Sequence, residues 1–327
     1  MNRAASALSS TAKYLLGIWI FGLIWFAGPF PHTSFLNPLA AIVWFAALIV
    51  ISFRLTRAKP RRIALSLLLL IPLVGYAFMR PSHQRDWKPT FEKLPYAEIS
   101  EDTVTIHNYR SFDYSGDETP LPAWETRRFD QHNLKGMDFF MTRWSSDFAG
   151  HPIFSFDFGD QGHCAFTIEA KLEKNEIYSL AAGLYRRYEI AYIACDESDA
   201  VRVRTNFREG ENVYLYRTIA TPEQARARFL EFIASMNDIR EKPRFYNVVS
   251  SNCTTAVRSQ MSGGFPWDWR VIVNGKLDEL LYERGMLETT GLPFPELKER
   301  ALINPKVAKR PQKEGFSERI RTGTPAF

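Results

Sequence analysis

Three apolar runs without internal charge open the chain, from about Tyr14 to Pro29, Leu39 to Phe53 and Ile63 to Met79. Each is slightly shorter than the ~20 residues that cross a bilayer core, but flanking aromatics and snorkelling Arg or Lys extend such spans. The pattern predicts three transmembrane helices, at about 14–29, 39–53 and 63–79. A cleaved signal peptide fits the first run poorly, because two more apolar spans follow and no small-residue cleavage site is evident. Residues 81–95 read as a linker.

Beyond the linker the period falls to two. Thr103 to Tyr114, Trp124 to Asp130, Met137 to Trp144, His151 to Phe158, His163 to Ala170, Tyr188 to Cys195 and Asn212 to Thr218 are aromatic-rich or alternate apolar with polar positions, and they predict strands. Gly159-Asp160-Gln161-Gly162 marks a hairpin turn. Thr221-Pro222-Glu223-Gln224 predicts a helix start, with cap, first-turn proline and Gln three residues on. That helix should run to about Arg240 and bury Ala225, Phe229, Phe232, Ile233 and Met236. Further helices are expected from Ser251-Asn252 and over Lys276 to Leu287, and the Lys, Arg, Pro and Gly-rich tail from Asn304 reads as poorly ordered. The expected organisation is a membrane anchor, 1–82, and an α+β domain, 83–327, with its core at about 103–290: a mostly antiparallel sheet with packed helices.

Charge fixes the expected orientation. The net charge is +5, and Arg54 to Arg62 alone holds five basic residues and no acid, whereas the loop after the first span is uncharged. The positive-inside rule then puts the basic loop in the cytoplasm and everything beyond about Arg80 in the periplasm of a multi-pass inner-membrane protein. The basic balance therefore reports topology, and no nucleic-acid partner is expected. In that oxidising compartment Cys164 and Cys195 read as two buried small residues or one disulfide.

Cys253 reads differently. It follows Asn252, a good cap, and precedes a helix-compatible run, so backbone amides and the helix dipole would favour its thiolate. The best base is His151. If Phe154, Phe156 and Phe158 face the same core as Phe166 and Ile168, the register is fixed to within two residues, and His151 shares the opposite face with Glu169. A carboxylate that holds one imidazole nitrogen frees the other to take a thiol proton. Asn108 or Asp157 could orient the imidazole instead. No pair of histidines has metal-ligand spacing and no glycine-rich phosphate loop is present, so neither metal nor cofactor is expected.

The succession HNYRSFDY, HPIFSF, AFTIEA, YEIAY, ESDAVRVRTNFR, VYLYR, FYN and SNCTT resembles the bacterial family named for the periplasmic N-terminal domain of Lnb, an alternative lipoprotein N-acyltransferase, from about Thr103 to Ser262. The resemblance implies a permuted papain-like fold, like that of lecithin:retinol acyltransferase, in which histidine precedes cysteine. It assigns the family's histidine to His151, its cysteine to Cys253 and its acidic position to Glu169, with Thr167 where the family has serine. The implied function is a membrane-anchored cysteine acyltransferase or hydrolase acting on a lipid or lipoprotein. The alternatives are a peptidoglycan amidase or peptidase, or a non-catalytic cell-envelope binding module.

Overall fold

The computed structural model describes residues 2–31, 34–114, 116, 119–144, 147–250, 268–271, 274–308 and 312–327. Two compact units emerge, one of residues 1–86, 172–189 and 245–247, the other of 87–171, 190–244 and 248–327.

The first unit is built on α1 (Asn2–Ala27), α2 (Leu36–Arg54) and α3 (Ala58–Phe78). Ile20, Leu23 and Ile24 of α1 bury against Ala41 and Trp44 of α2. The Trp44 indole donates to the Leu68 carbonyl at 2.8 Å, tying α2 to α3. Buried Asn37 closes the α1 to α2 turn, accepting from Phe30 N at 3.1 Å and donating to Phe30 O at 3.0 Å. An amide satisfied on both sides can sit among apolar neighbours. The outward residues Ile42, Val43, Leu70 and Ile71 are exposed and apolar. Such faces are stable in lipid and costly in water. Among the described residues α2 and α3 are long and apolar enough to cross a membrane, whereas the apolar part of α1, Tyr14–Ala27, is shorter.

The second unit carries an eight-stranded sheet. Its strands are β1 (Tyr96–Ser100), β2 (Thr103–Arg110), β5 (Trp124–Asp130), β6 (Gly136–Arg143), β7 (Gly150–Asp157), β8 (His163–Lys171), β9 (Glu189–Cys195) and β10 (Asn212–Arg217). β3 (Asp113–Tyr114) and β4 (Pro120–Leu121) make a separate ribbon. The order is β1-β2-β9-β8-β7-β6-β10, with β5 on β2. The pairings β1/β2, β2/β5, β7/β8, β6/β7 and β6/β10 are antiparallel, and one parallel bridge joins Arg110 to Cys195.

The predicted long helix is α5 (Pro222–Glu241), opened by the expected capping box of Thr221 and Gln224. Its Phe229 and Phe232 pack against Phe154, Phe156, Phe158 and Phe166 at 5.0 to 5.9 Å between ring centres. The phenylalanine faces of β7 and β8 thus meet one core, in the register their alternation requires, with Phe154 opposite Phe166. The other face is no solvent face. Ile153, Ser155 and Thr167 are fully buried there.

Two readings need correction. Residues 304–308 and 312–327 are not a loose tail: α8 (Asn304–Val307) and α9 (Phe316–Arg321) bury Val307, Phe316 and Ile320, three apolar anchors that a basic composition conceals. The linker is also partly structural, since Trp87 and Phe91 are buried. The helix over Lys276 to Leu287 is the shorter α6 (Leu277–Glu283), and α7 (Phe294–Ala301) follows it. The helix expected from Ser251, with Cys253, lies outside the described residues.

Candidate active site

His151 sits in β7 beside Thr142 of β6, and the β7/β8 register, continued two residues beyond the Ile153 to Thr167 pair, sets it across from Glu169. The two side chains do not meet directly. His151 Nε2 lies 2.6 Å from Thr167 Oγ1, and that hydroxyl donates to Glu169 Oε1 at 3.1 Å. A hydroxyl has one proton to give, and an ionised carboxylate can only accept it. Thr167 must therefore accept from His151, so Nε2 carries the ring proton and Nδ1 keeps its lone pair. A residue absent from the expected pair thus sets the tautomer. Its signal was available, since Thr167 lies two positions before Glu169 on the same face.

Glu169 is held by a second element. Between α4 (Glu197–Ala200) and β10, the turn Val203–Phe207 brings buried Arg204 to 3.3 Å from Glu169, while its Nη1 donates to the Ala200 carbonyl at 2.5 Å. Behind it Arg110 pairs with buried Asp199 at 2.9 Å, and Asp199 also accepts from Phe112 N and the Tyr114 hydroxyl. Burial alone would raise the Glu169 pKa, but Arg110 and Arg204 outweigh it and hold the carboxyl at about 2. Burial, reinforced by Arg204 and opposed by Glu169, lowers the His151 pKa to about 3. The imidazole is neutral at physiological pH, as a proton acceptor must be.

The His151 shift has a consequence for stability. The folded protein refuses a proton that the unfolded chain binds below about pH 6.5, so the stabilising contribution is full above that pH and is lost as pH falls toward 3. Between pH 7 and pH 5 this group should weaken folding by about 2 kcal/mol, and His151→Gln should flatten that part of the profile. Thermal midpoints of the wild-type and variant proteins in detergent at both pH values check this. Equal slopes would contradict it.

The other candidates are engaged elsewhere. Asn108, at φ 54 in a bulge of β2, donates to the Leu94 carbonyl at 3.1 Å. Asp157 caps Gly159 N at 2.9 Å and faces Arg217 at 3.6 Å. His107 stacks on Tyr96. His163 is only partly exposed and lies 3.9 Å from Asp157. Cys164 and Cys195 are free and buried rather than bridged, and burial pushes both thiols up, which suits inert packing groups.

Among the described residues, one group has ligand atoms close enough for a metal. Asp138, His163 and Glu197 bring theirs within 4.8 Å of one another. The charge there is already matched: Arg321 reaches Asp138 at 2.6 Å and Glu197 at 2.7 Å, and Arg217 reaches Asp138 at 2.8 Å. Two guanidinium groups answer two carboxylates, and a cation would have to expel Arg321. The cluster reads as an internal ion-pair network that fastens α9 to the sheet and to α4.

Residues 121–275 match the protein family described as the Lnb N-terminal periplasmic domain. The matched stretch starts and ends somewhat later than the resemblance suggested, and it includes His151, Thr167, Glu169, Arg204 and Cys253. No curated protein and no solved structure matches the chain. With its apolar helices ahead of this stretch, the chain is a membrane protein whose residues 121–275 carry the match to the Lnb N-terminal periplasmic domain family.

Proposed function

We propose that the protein is a membrane-anchored periplasmic thiol enzyme, an acyltransferase or hydrolase that works through a thioester on Cys253 with a lipid or lipoprotein substrate. The observation that carries the reading is the relay from His151 through Thr167 to Glu169, which leaves Nδ1 of a neutral imidazole as the free base. In this mechanism the Cys253 thiol gives its proton to His151 Nδ1, and the thiolate attacks an ester or amide carbonyl. As the carbonyl–heteroatom bond breaks, the imidazolium returns the proton to the departing alcohol or amine, leaving a thioester. Water or an acceptor amine, deprotonated by the same nitrogen, then attacks the thioester carbonyl, the carbon–sulfur bond breaks, and the imidazolium returns the proton to the departing Cys253 sulfur. Glu169, through Thr167, stabilises the imidazolium that forms in each half. The permuted papain-like order, histidine before cysteine, belongs to this proposal.

Thr167 gives the reading a specific test. Thr167→Val keeps the volume but cannot pass the hydrogen bond, and kcat should fall about 10- to 100-fold with KM little changed. Thr167→Ser should restore most of it. Equal activity of Val and Ser variants would remove the relay from the mechanism.

The anchor is taken as three spans with the Arg54 to Arg62 loop in the cytoplasm and the domain outside the inner membrane, on the charge asymmetry of the loops. α1 supplies the first span, and its packing on α2 supports this placement. A periplasm-dependent phosphatase fused after Phe327 should be active. Activity of a cytoplasmic reporter there instead would reverse the topology.

A further inference from the structure

The segment 172–188, between β8 and β9, belongs to the same compact unit as the membrane helices. It has internal order. Ser179 N donates to the Tyr188 hydroxyl at 2.9 Å, Gly183 N to Ser179 O at 3.0 Å, and Ala182–Leu184 form a 3-10 turn.

Its contacts with the helices are aromatic. Tyr185 stacks on Phe26 at 5.5 Å and lies 5.9 Å from Trp19, both on α1. Its ring occupies the space where a Cβ at Gly22 would stand, so glycine permits the approach. Arg186 lies over the Tyr76 ring at 4.4 Å and donates to the Tyr76 carbonyl at 3.0 Å, near the end of α3. Tyr76 in turn meets Trp19 edge-on at 5.3 Å. Gly22 lies about 7–8 Å along the axis from the α1 end at Ala27, counting 1.5 Å per residue, which is well inside a hydrocarbon half-thickness of about 15 Å. Aromatic rings at that depth, with Arg186 held nearer the end of α3, suit the boundary between acyl chains and headgroups.

The same segment exposes large apolar side chains: Ile177 is 86% exposed, Leu180 57% and Leu184 41%. In water such a group on one short loop is costly, and next to helices that sit in lipid it has a ready solvent. We infer that residues 172–188 are a bilayer-embedded element, with Ile177, Leu180 and Leu184 seated among the lipids that surround the C-terminal ends of α1 and α3. The inference rests on the placement of α1 and α3 in the membrane, and its occupant is phospholipid.

The test is site-specific photolabelling of the full chain in phosphatidylethanolamine and phosphatidylglycerol nanodiscs. A diazirine leucine analogue is placed singly at 177, 180, 184 and, on the outer face of α2, at Val43. Mass spectrometry should find phospholipid adducts at the three loop positions within about fivefold of the yield at position 43. Gly22→Ala, which displaces Tyr185, should lower the loop yields and spare position 43. Adducts at 43 with none at the loop positions overturn the inference alone. No adducts at 43 either would overturn the membrane placement on which it depends.

Discussion

Cys253→Ala is expected to abolish turnover, by about 10⁴-fold or more, while leaving the protein folded. The expectation comes from elimination as well as placement. Cys164 and Cys195 are sealed in the sheet and their thiols are pushed up by burial, so neither offers a thiolate to a substrate. In the sequence Cys253 directly follows Asn252, a residue type favoured at helix caps, and the proposed mechanism takes it as the nucleophile. Cys253→Ser should be nearly as inactive, because a hydroxyl beside this base is far harder to ionise. Phospholipid and lipoprotein acyl products from cells carrying each variant would be compared with wild type. Unchanged products in all three would reject the acyl reading, and a separate peptidoglycan muropeptide profile would then test the amidase alternative.

His151→Ala should lower kcat/KM by about 10²- to 10⁴-fold and change the shape of the pH profile. In the wild type the imidazole is neutral above about pH 3, so its protonation does not limit the rate between pH 5 and 8. Without it the thiolate must form by ionisation of Cys253 alone. The rate of the variant should then rise about tenfold per pH unit until the Cys253 thiol titrates. A uniformly lower profile of unchanged shape would mean that His151 supports the fold rather than the proton transfer.

The hairpin shows what alternation reveals and what it hides. Phe154, Phe156 and Phe166 recur with period two because one face packs on Phe229 and Phe232, and that fixed the register which sets His151 across from Glu169. The same alternation does not say what the opposite face meets. Ser155 and Thr167 lie on a face lined by α4, Arg204 and Arg321, and a buried polar face matched by buried charge has the same period as an exposed one. Thr167 therefore passed as a substitution for serine, although it links the two residues. Arg204 gave no signal, because its partners Glu169 and Ala200 depend on a turn that no periodicity marks. The segment 172–188 was equally silent, since its apolar residues follow no strand or helix period. Its role emerges only from Tyr185 and Arg186 against α1 and α3.

The acid side of stability and the chemistry meet in one arrangement. Arg110 and Arg204 keep Glu169 ionised, Glu169 takes the Thr167 proton, and Thr167 takes that of Nε2. Burial, reinforced by Arg204, depresses the imidazole, so in the proposed mechanism the imidazolium is high in free energy and short-lived. A base of this kind favours rapid return of the proton to a leaving group over a resting thiolate and imidazolium pair.

The most direct measurement is mass spectrometry of the peptide containing Cys253, from full-length protein purified out of membranes and quenched in acid. The expected result is a mass increase equal to an acyl chain on Cys253, removed by neutral hydroxylamine and absent from Cys253→Ala. An unmodified Cys253 in protein that is turning over lipid or lipoprotein substrate would contradict it.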